Sequence, residues 1–512
     1  MRKIFDYLLK FMMSRIFMIA MIMVLQLALV ILSLYSFSLT SQVTRTLFLV
    51  LNIIITIYIV NRNVNTSYKL AWIILINFIP VVGGVIYLMF AEQKIPKSLR
   101  KEITRNLMYG KNVYRKYVSE DINIDSADIS QQFNYVKNNA YYPYYKNTKV
   151  RYFPSGETYF DDLIKHLKKA KHFIFLEFFI VKEGKMLSEI TEVLKEKVKE
   201  GVEVYFMYDD GGSITCLPKD FENTMRSYGI NIVAFNPVST FLVFLSKANN
   251  RDHRKICVID NEYGYMGGLN IADEYINAIE RFGHWKDTAI SLRGEAVSSL
   301  TVMFIQFYNV FAKEKLKYDD FMLKSRKVTS NSIVLPFSDS PTDDEDVART
   351  VHINLINKAK KYIYIHTPYL ILDYDMTHAL MTAAKQGVEV IITVPKIPDK
   401  KTVFMVTRSN YEVLLKAGVK IYEYTPGFIH SKLFVSDDNI ALCGTINMDY
   451  RSYYLHYECG TLIAFDNEIM KMKADYLATL KESEEITLEK VQKTNIIIRI
   501  AQAILAVFAP IF

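Results

Sequence analysis

The chain has 512 residues, 51% hydrophobic and 23% charged, a balance that excludes long disordered stretches and leaves room for two or three domains. Its net charge of +8 favours an anionic partner, either phospholipid headgroups or nucleic acid. Four cysteines (Cys216, Cys257, Cys443, Cys459), with no CxxC pair and no close Cys/His cluster, argue against a disulfide framework or a structural zinc site.

Residues 1–92 read as a membrane anchor of two or three helices. Residues 16–37 form a 22-residue apolar run preceded by Arg2, Lys3, Lys10 and Arg15. Residues 70–90 form a 21-residue run that contains Asn77, Pro80, Gly83 and Gly84. Each is long enough, as a helix, to cross a hydrocarbon core of about 30 Å. The first is too long for a signal-peptide core and further apolar segments follow, so a retained anchor is expected. Residues 47–60, with Asn52 and Thr56, either span or lie in the interface. Lys94, Lys97, Arg100, Lys101 and Arg105 form a second basic flank. The positive-inside rule puts both flanks in the cytoplasm if the number of crossings is even, and separates them if there are three. The expected location is the cell membrane, multi-pass, with the catalytic part cytoplasmic. Residues 93–147 are then a basic juxtamembrane linker drawn to anionic lipid.

Beyond the linker the sequence repeats itself. KKAKHFIFLEFFIV (168–181) is followed by a helical pattern over 186–200 and then by GVEVYFMYDD (201–210). KAKKYIYIHTPYLI (358–371) is followed by a helical pattern over 376–386 and then by GVEVIITVP (387–395). Each unit reads strand, helix, strand, with Gly201 and Gly387 as helix stops. This alternation predicts an α/β fold of two pseudo-twofold-related lobes, 148–325 and 326–483, with mixed, mostly parallel sheets. Residues 484–512 are expected to form a C-terminal amphipathic, membrane-associated helix. Within them, IIIRIAQAILAVF (496–508) is amphipathic at helical spacing and suits either a membrane-surface helix or one docked on the protein's own core.

Inside the repeat lies a repeated constellation. DHRKICVID (252–260) and IHSKLFVSD (429–437) each carry a His, a Lys two residues on and an Asp seven residues on: His253, Lys255, Asp260 and His430, Lys432, Asp437. GGLN and GTIN then place Asn270 and Asn447 at equal offsets of 17 residues from the two histidines. In strands, a His and Lys two apart share a face, and the Asp-containing turns return the glycines and Asn towards the His. Two imidazoles, two ammonium groups and two amides suit a phosphodiester. One neutral imidazole attacks phosphorus, the other protonates the leaving alcohol, and the donors stabilise charge on the non-bridging oxygens. The result is a covalent phosphohistidine and a two-step exchange. Strand parity points Asp260 and Asp437 away from the imidazoles, towards a turn-shaping role.

The paired HxKxxxxD stretches with GGLN and GTIN resemble the signature of the phospholipase D superfamily. Residues 68–90, 249–260, 284–297 and 422–432 resemble segments of its bacterial cardiolipin synthases, and the likeness runs from about residue 45 to the end. The run 16–37, PFSDSP (336–341) in place of an SGP-type turn, and Val310 where Trp is common depart from that pattern; none falls in the motifs. The resemblance implies phosphatidyl transfer between two phosphatidylglycerol molecules, giving cardiolipin and glycerol, with no cofactor and no metal. It implies His253 as nucleophile and His430 as acid and base, with Lys255, Lys432, Asn270 and Asn447 around the phosphate and Asp260 and Asp437 completing the catalytic signature. It also implies that Asp287 orients His430 and Glu458 orients His253. The partners implied are phosphatidylglycerol and anionic membrane lipids, not nucleic acid, and a homo-oligomer is compatible with the chain. The alternative is a phospholipase D-type hydrolase of the same fold, since water can replace the accepting alcohol. His284 and His456 read as satisfied polar neighbours, His366 as structural or substrate-lining, Tyr369 as core, and residues 241–245 as either a buried strand or a loop dipping into lipid.

Overall fold

The computed structural model describes residues 39–62, 64–79, 83–84, 87, 97–117, 122–237, 249–323, 328–343 and 345–511. The chain forms two compact units. One is Met1–Lys94 with Val238–Ala248 and Pro510–Phe512; the other is Ile95–Pro237 with Asn249–Ala509. The expected span 16–37 and the segment 241–245 lie outside the described residues.

In the first unit, α1 (Leu39–Val60) pairs with α2 (Thr66–Phe78). Ile55 and Ile59 pack against Trp72 and Ile76 in a small core. The remaining faces stay apolar and exposed, including Leu49, Ile53, Ile57, Leu70 and Phe78. The expected helix 70–90 is not continuous. α2 ends at Phe78, and Ile79 leaves the helical region (φ −127°, ψ 70°), the conformation favoured for a residue that precedes proline in the sequence. Among the described residues, no helix is long and apolar enough to cross a membrane.

The second unit holds both lobes. Its first sheet contains β1 (Thr148–Phe153), β2 (Phe173–Phe178), β3 (Glu203–Asp209), β4 (Asn231–Phe235), β5 (Ile256–Ile259), β6 (Tyr263–Gly267) and β8 (Ala289–Gly294). They lie in the order β1-β8-β6-β5-β2-β3-β4, with β7 (His284–Lys286) outside this sheet. The second sheet contains β9 (Ile333–Asp339), β10 (Tyr362–His366), β11 (Glu389–Pro395), β12 (Lys420–Tyr424), β14 (Leu433–Ser436), β15 (Ile440–Gly444), β16 (Glu458–Ala464) and β17 (Ser483–Ile486). Read from β9, its order is β9-β16-β15-β14-β10-β11-β12-β17, the first sheet repeated strand for strand with one edge strand added.

The sheets are mixed, but the expectation of mostly parallel pairing is corrected. Only β2-β3-β4 and β10-β11-β12 run parallel; every other pairing in the two sheets is antiparallel. The reason is the turn after each His/Lys motif. Asp260 and Asn261, and Asp437 and Asp438, adopt positive φ (52–63°), which short polar side chains tolerate, and they fold β5 onto β6 and β14 onto β15 as hairpins. Among the described residues, helical crossovers join strands that lie side by side only from β2 to β4 and from β10 to β12. The helices leading into β3 and β11 stop at Gly201 and Gly387, at φ +88° and +92°.

Residues 93–147, expected as a linker, are largely folded. α3 (Lys97–Tyr117) packs on α4 (Val297–Phe311), burying Ile103, Val113 and Tyr114, while Phe133, Tyr142 and Tyr145 enter the core between the lobes. The second lobe also runs past 483, since β17 pairs with β12. A single core joins Ile256, Val258 and Ile290 of the first sheet to Leu335, Phe337 and Leu462 of the second, so the two lobes fold as one body.

Candidate active site

The lobes meet along two short backbone ladders, and these build the site. β13 (Gly427–Ile429) pairs in parallel with β7, matching Ile429 with Lys286. One residue on, the His430 N–H donates to the Lys286 carbonyl at 2.7 Å. In the equivalent place Asp252 bridges Tyr457 in parallel. There the His253 N–H donates to the Tyr457 carbonyl, and the Tyr457 N–H to the Arg251 carbonyl, both at 2.9 Å. Each histidine therefore lies level with a carboxylate of the opposite lobe. His430 Nδ1 is 2.6 Å from Asp287 Oδ2, and His253 Nδ1 is 2.9 Å from both Glu458 oxygens. An Nδ1–H held by a carboxylate leaves Nε2 as the reactive nitrogen of each ring.

The motif lysines flank these rings. Lys255 Nζ donates to the His253 carbonyl at 2.6 Å, and Lys432 Nζ to the His430 carbonyl. Both motifs precede their strands rather than lying in them: regular pairing begins only at Ile256 and Leu433. Burial pushes Lys255 down to about 8, with Glu458 and Asp287 opposing the shift. Burial and the neighbouring Lys255 push Lys432 down to about 7, against the pull of Asp287. Burial and Lys432 lower His430 to about 4, with Asp287 opposing. His253 is held well below its ordinary range by burial, Lys255, His456 and Lys432. The pocket's own groups thus leave it short of negative charge, and an entering phosphodiester would supply it.

The two carboxylates are supported differently. Burial works to raise the Asp287 carboxyl, but His430 and Lys432 hold it below the usual carboxylate range. Its second oxygen accepts the Thr288 N–H at 2.8 Å. Burial drives Glu458 well above that range, opposed by Lys255 and by hydroxyl donors from Thr445 and Ser452, the latter at 2.7 Å. Asp287 has glycine at the position where Glu458 has Thr445. A Cβ on Gly268 would lie 2.1 Å from Asp287 Oδ1, so no side chain fits there.

Asn270 is occupied by the fold: its Oδ1 accepts the Ile180 N–H and its Nδ2 donates to the Tyr275 hydroxyl. Asn447 is buried, and its Oδ1 has no hydrogen-bond partner. Asp260 and Asp437, the last residues of the two signatures, sit in the hairpin turns. Asp260 accepts the backbone N–H groups of Lys171, His172 and Phe173, each at 2.8 Å. Asp437 accepts those of Lys360, Lys361 and Tyr362 at 2.7–3.0 Å. Seven residues of extended chain, roughly 20 Å, separate each from its histidine. They tie each hairpin turn to the start of the neighbouring strand.

Several participants escaped the sequence reading. Trp285 and Tyr275 each stand 5.4 Å from the His430 ring, centroid to centroid, and Phe179 stands 5.0 Å from His253. Thr288 and Ser431 hydroxyls bond across the lobes at 2.6 Å. His456, read as a satisfied neighbour, is only partly so. Arg451 Nε donates to its Nε2 at 3.4 Å, so its proton sits on Nδ1, which is buried without a partner 4.0 Å from Glu458 Oε1. Its ring is 5.6 Å from that of His253. The unequal second position of GGLN and GTIN, Gly268 against Thr445, was the available signal for this asymmetry. His284 is satisfied by Tyr424 at 2.8 Å; His366 is fully buried, stacked on Tyr476. Among the described residues, His253, His456 and Glu458 could bring three ligand atoms within 4.8 Å of one another. Arg451, Lys255, Arg251 and Lys400 disfavour positive charge in that corner, which opposes a dication.

Comparison with known proteins matches residues 352–480 to the family model described as "Cardiolipin synthase, PLD-like domain" and residues 50–91 to "Phospholipase_D-nuclease N-terminal". A cardiolipin synthase of a Geobacillus species is 34% identical over 457 residues, 88% of this chain and 90% of that protein. Cardiolipin synthase 2 of Bacillus anthracis is 34% identical over 468 residues, 89% of this chain and 88% of that protein. An uncharacterized protein of Streptococcus mutans is 41% identical over 464 residues, 89% of this chain and 99% of that protein. Among solved structures, phosphatidylserine synthase of Haemophilus influenzae shares the fold, with a TM-score of 0.57 and 15% identity over 75% of this chain and 98% of that one.

Proposed function

Because this chain belongs to the bacterial cardiolipin synthases of the phospholipase D superfamily, we propose that it moves a phosphatidyl group from one phosphatidylglycerol to another. The products are cardiolipin and glycerol. The observation that carries this reading is the crossed pairing of His253 with Glu458 and His430 with Asp287, two imidazoles with Nε2 left for chemistry. His253 Nε2 attacks phosphorus while His430, protonated once the anionic phosphate is bound, gives its proton to the departing glycerol oxygen. The P–O bond breaks as the P–N bond forms. In the second step neutral His430 takes the proton of the second lipid's headgroup hydroxyl, whose oxygen displaces His253 from phosphorus. Lys255 and Lys432 stabilise charge on the non-bridging oxygens, and Asn447 joins them at the phosphate.

One difference favours His253 as nucleophile. Asp287 stays charged and can stabilise an imidazolium at His430, whereas Glu458 is driven towards its neutral form and gives His253 less help in holding a proton. The exposed apolar faces of α1 and α2 support a multi-pass membrane anchor, and the basic flank of Lys94, Lys97, Arg100, Lys101 and Arg105 supports a cytoplasmic catalytic unit. Homo-oligomerisation remains part of this reading.

The test is to incubate the purified full chain with headgroup- and acyl-labelled phosphatidylglycerol and follow glycerol, cardiolipin and phosphatidate. Cardiolipin with stoichiometric glycerol is expected. Phosphatidate without cardiolipin would mean a hydrolase and overturn the proposal.

A further inference from the structure

The C-terminal helix is held by one side only. Along Ile496–Phe508, Leu505 packs with Ala509 against Ile371, Val406 and Tyr450. Arg499 pairs with Glu412 at 3.0 Å. The other side presents Ile496, Ile497, Ile500 and Ile504 to solvent, Ile497 at 72% exposure and Ile496 at 65%. These positions fall on one stripe at helical spacing, and contiguous apolar stripes of this kind are uncommon on a water-facing surface.

The helix rests on Lys401–Ser409, and the start of that helix is basic. Lys400 and Lys401 are exposed and make no ion pair among the described residues, and exposed Ile397 stands just before them. Lys400 also lies close enough to the catalytic pocket for its charge to act on both Asp449 and His456. Lys400 Nζ lies 5.8 Å from the Tyr369 ring, so an apolar stripe and a basic corner occur together on a part of the unit that reaches towards the catalytic groups.

We infer that the isoleucine stripe and the Lys400–Lys401 corner form a docking face for an anionic bilayer, which holds the catalytic unit against the headgroups of its substrates. The inference rests on the proposed reading that the substrates are anionic lipids. Charge complementarity chooses the bilayer over a second copy of this chain. A twofold contact between copies would bring the same lysines face to face, whereas anionic headgroups compensate them while the isoleucines enter the acyl boundary.

The test uses the full chain reconstituted in vesicles with and without phosphatidylglycerol. A polarity-sensitive fluorophore on Ile500→Cys should shift to the blue in the anionic vesicles and be quenched by brominated acyl chains. The variant Ile497→Ser/Ile500→Ser/Ile504→Ser changes only exposed positions. It should lose about tenfold in turnover of vesicle phosphatidylglycerol while staying within about twofold on a short-chain, monomerically dispersed form. Three results would overturn the inference: a fluorophore that stays aqueous, equal losses on both substrates, or chain-to-chain cross-linking of the Ile500→Cys variant through its introduced thiol, which would show a second copy on this face. If the unaltered protein makes no cardiolipin, the functional reading falls, and the fluorophore still decides the docking face independently.

Discussion

The two halves of the site share a backbone plan and differ in what surrounds it. His430 faces Asp287, a carboxylate kept charged, with glycine beside it and Trp285 and Tyr275 against the ring. His253 faces Glu458, a carboxylate driven towards neutrality and hydrogen-bonded by Thr445 and Ser452, with His456 and Phe179 as neighbours. Duplication alone produces two equal histidines. Divergence of the groups around the carboxylates is what distinguishes the two rings, and the proposed division of roles rests on that difference.

The most drastic way to break the comparison is to remove one ring at a time. His253→Ala and His430→Ala should each reduce turnover by roughly four orders of magnitude, because neither half completes the exchange alone. They should differ with a lipid that carries an activated, low-pKa leaving group. His430→Ala should still form an acid-labile adduct, seen by rapid quench, and His253→Ala should not. The opposite pattern would exchange the two roles.

Removing the carboxylates sharpens the contrast. Asp287→Asn should cost about 10³-fold in kcat and Glu458→Gln about 10²-fold, since Asp287 is held charged beside His430 whereas Glu458 is driven towards its neutral form and lends the His253 ring less charge stabilisation. Equal losses in steady-state assays would show that the electrostatic difference has no kinetic weight.

The lysines predict the alkaline limb of the pH profile. Their pKa values are depressed to about 7 for Lys432 and about 8 for Lys255, so the charged forms are present below those values and lost as pH rises through them. Because kcat/KM reports the free enzyme, it should fall about tenfold per pH unit between pH 7 and 8 and approach about a hundredfold per unit above pH 8. Lys432→Arg, which stays charged, should move the onset upward; a profile flat to pH 10 would remove both lysines from phosphate stabilisation.

The mildest change lies at the motif aspartates. Asp260→Ala and Asp437→Ala each remove an acceptor from three backbone donors and should lower unfolding stability by about 1–3 kcal/mol in denaturant titrations. Turnover of the folded protein should stay within about twofold, in contrast with any substitution at the histidines.

Much of the fold was legible because it is written in local patterns. Gly201 and Gly387 stop helices, and the Asp260 and Asp437 turns make hairpins, since both depend on what a few adjacent residues can adopt. Strand–helix alternation overstates parallel pairing because it sets only β2-β3-β4 and β10-β11-β12 side by side, while the hairpin strands separate these from β1 and β9. The end of α2 falls just before Pro80, a signal visible in the sequence but outweighed there by hydrophobic length. The folded state of 97–117 was hidden by its charge. Its basic residues masked the apolar stripe of Ile103 and Val113 that docks on α4.

By itself the sequence determined the duplication, the two His/Lys pairs and the class of chemistry they suit, because residue type and spacing are local facts. The tertiary structure alone decided how the halves combine. Two parallel ladders, Ile429 with Lys286 and Asp252 with Tyr457, carry each histidine to a carboxylate more than 140 positions away in the chain. That partnership depends on backbone hydrogen bonds between lobes that form only when both are folded. The sequence contains the donors and acceptors, but their pairing is a property of the assembled core.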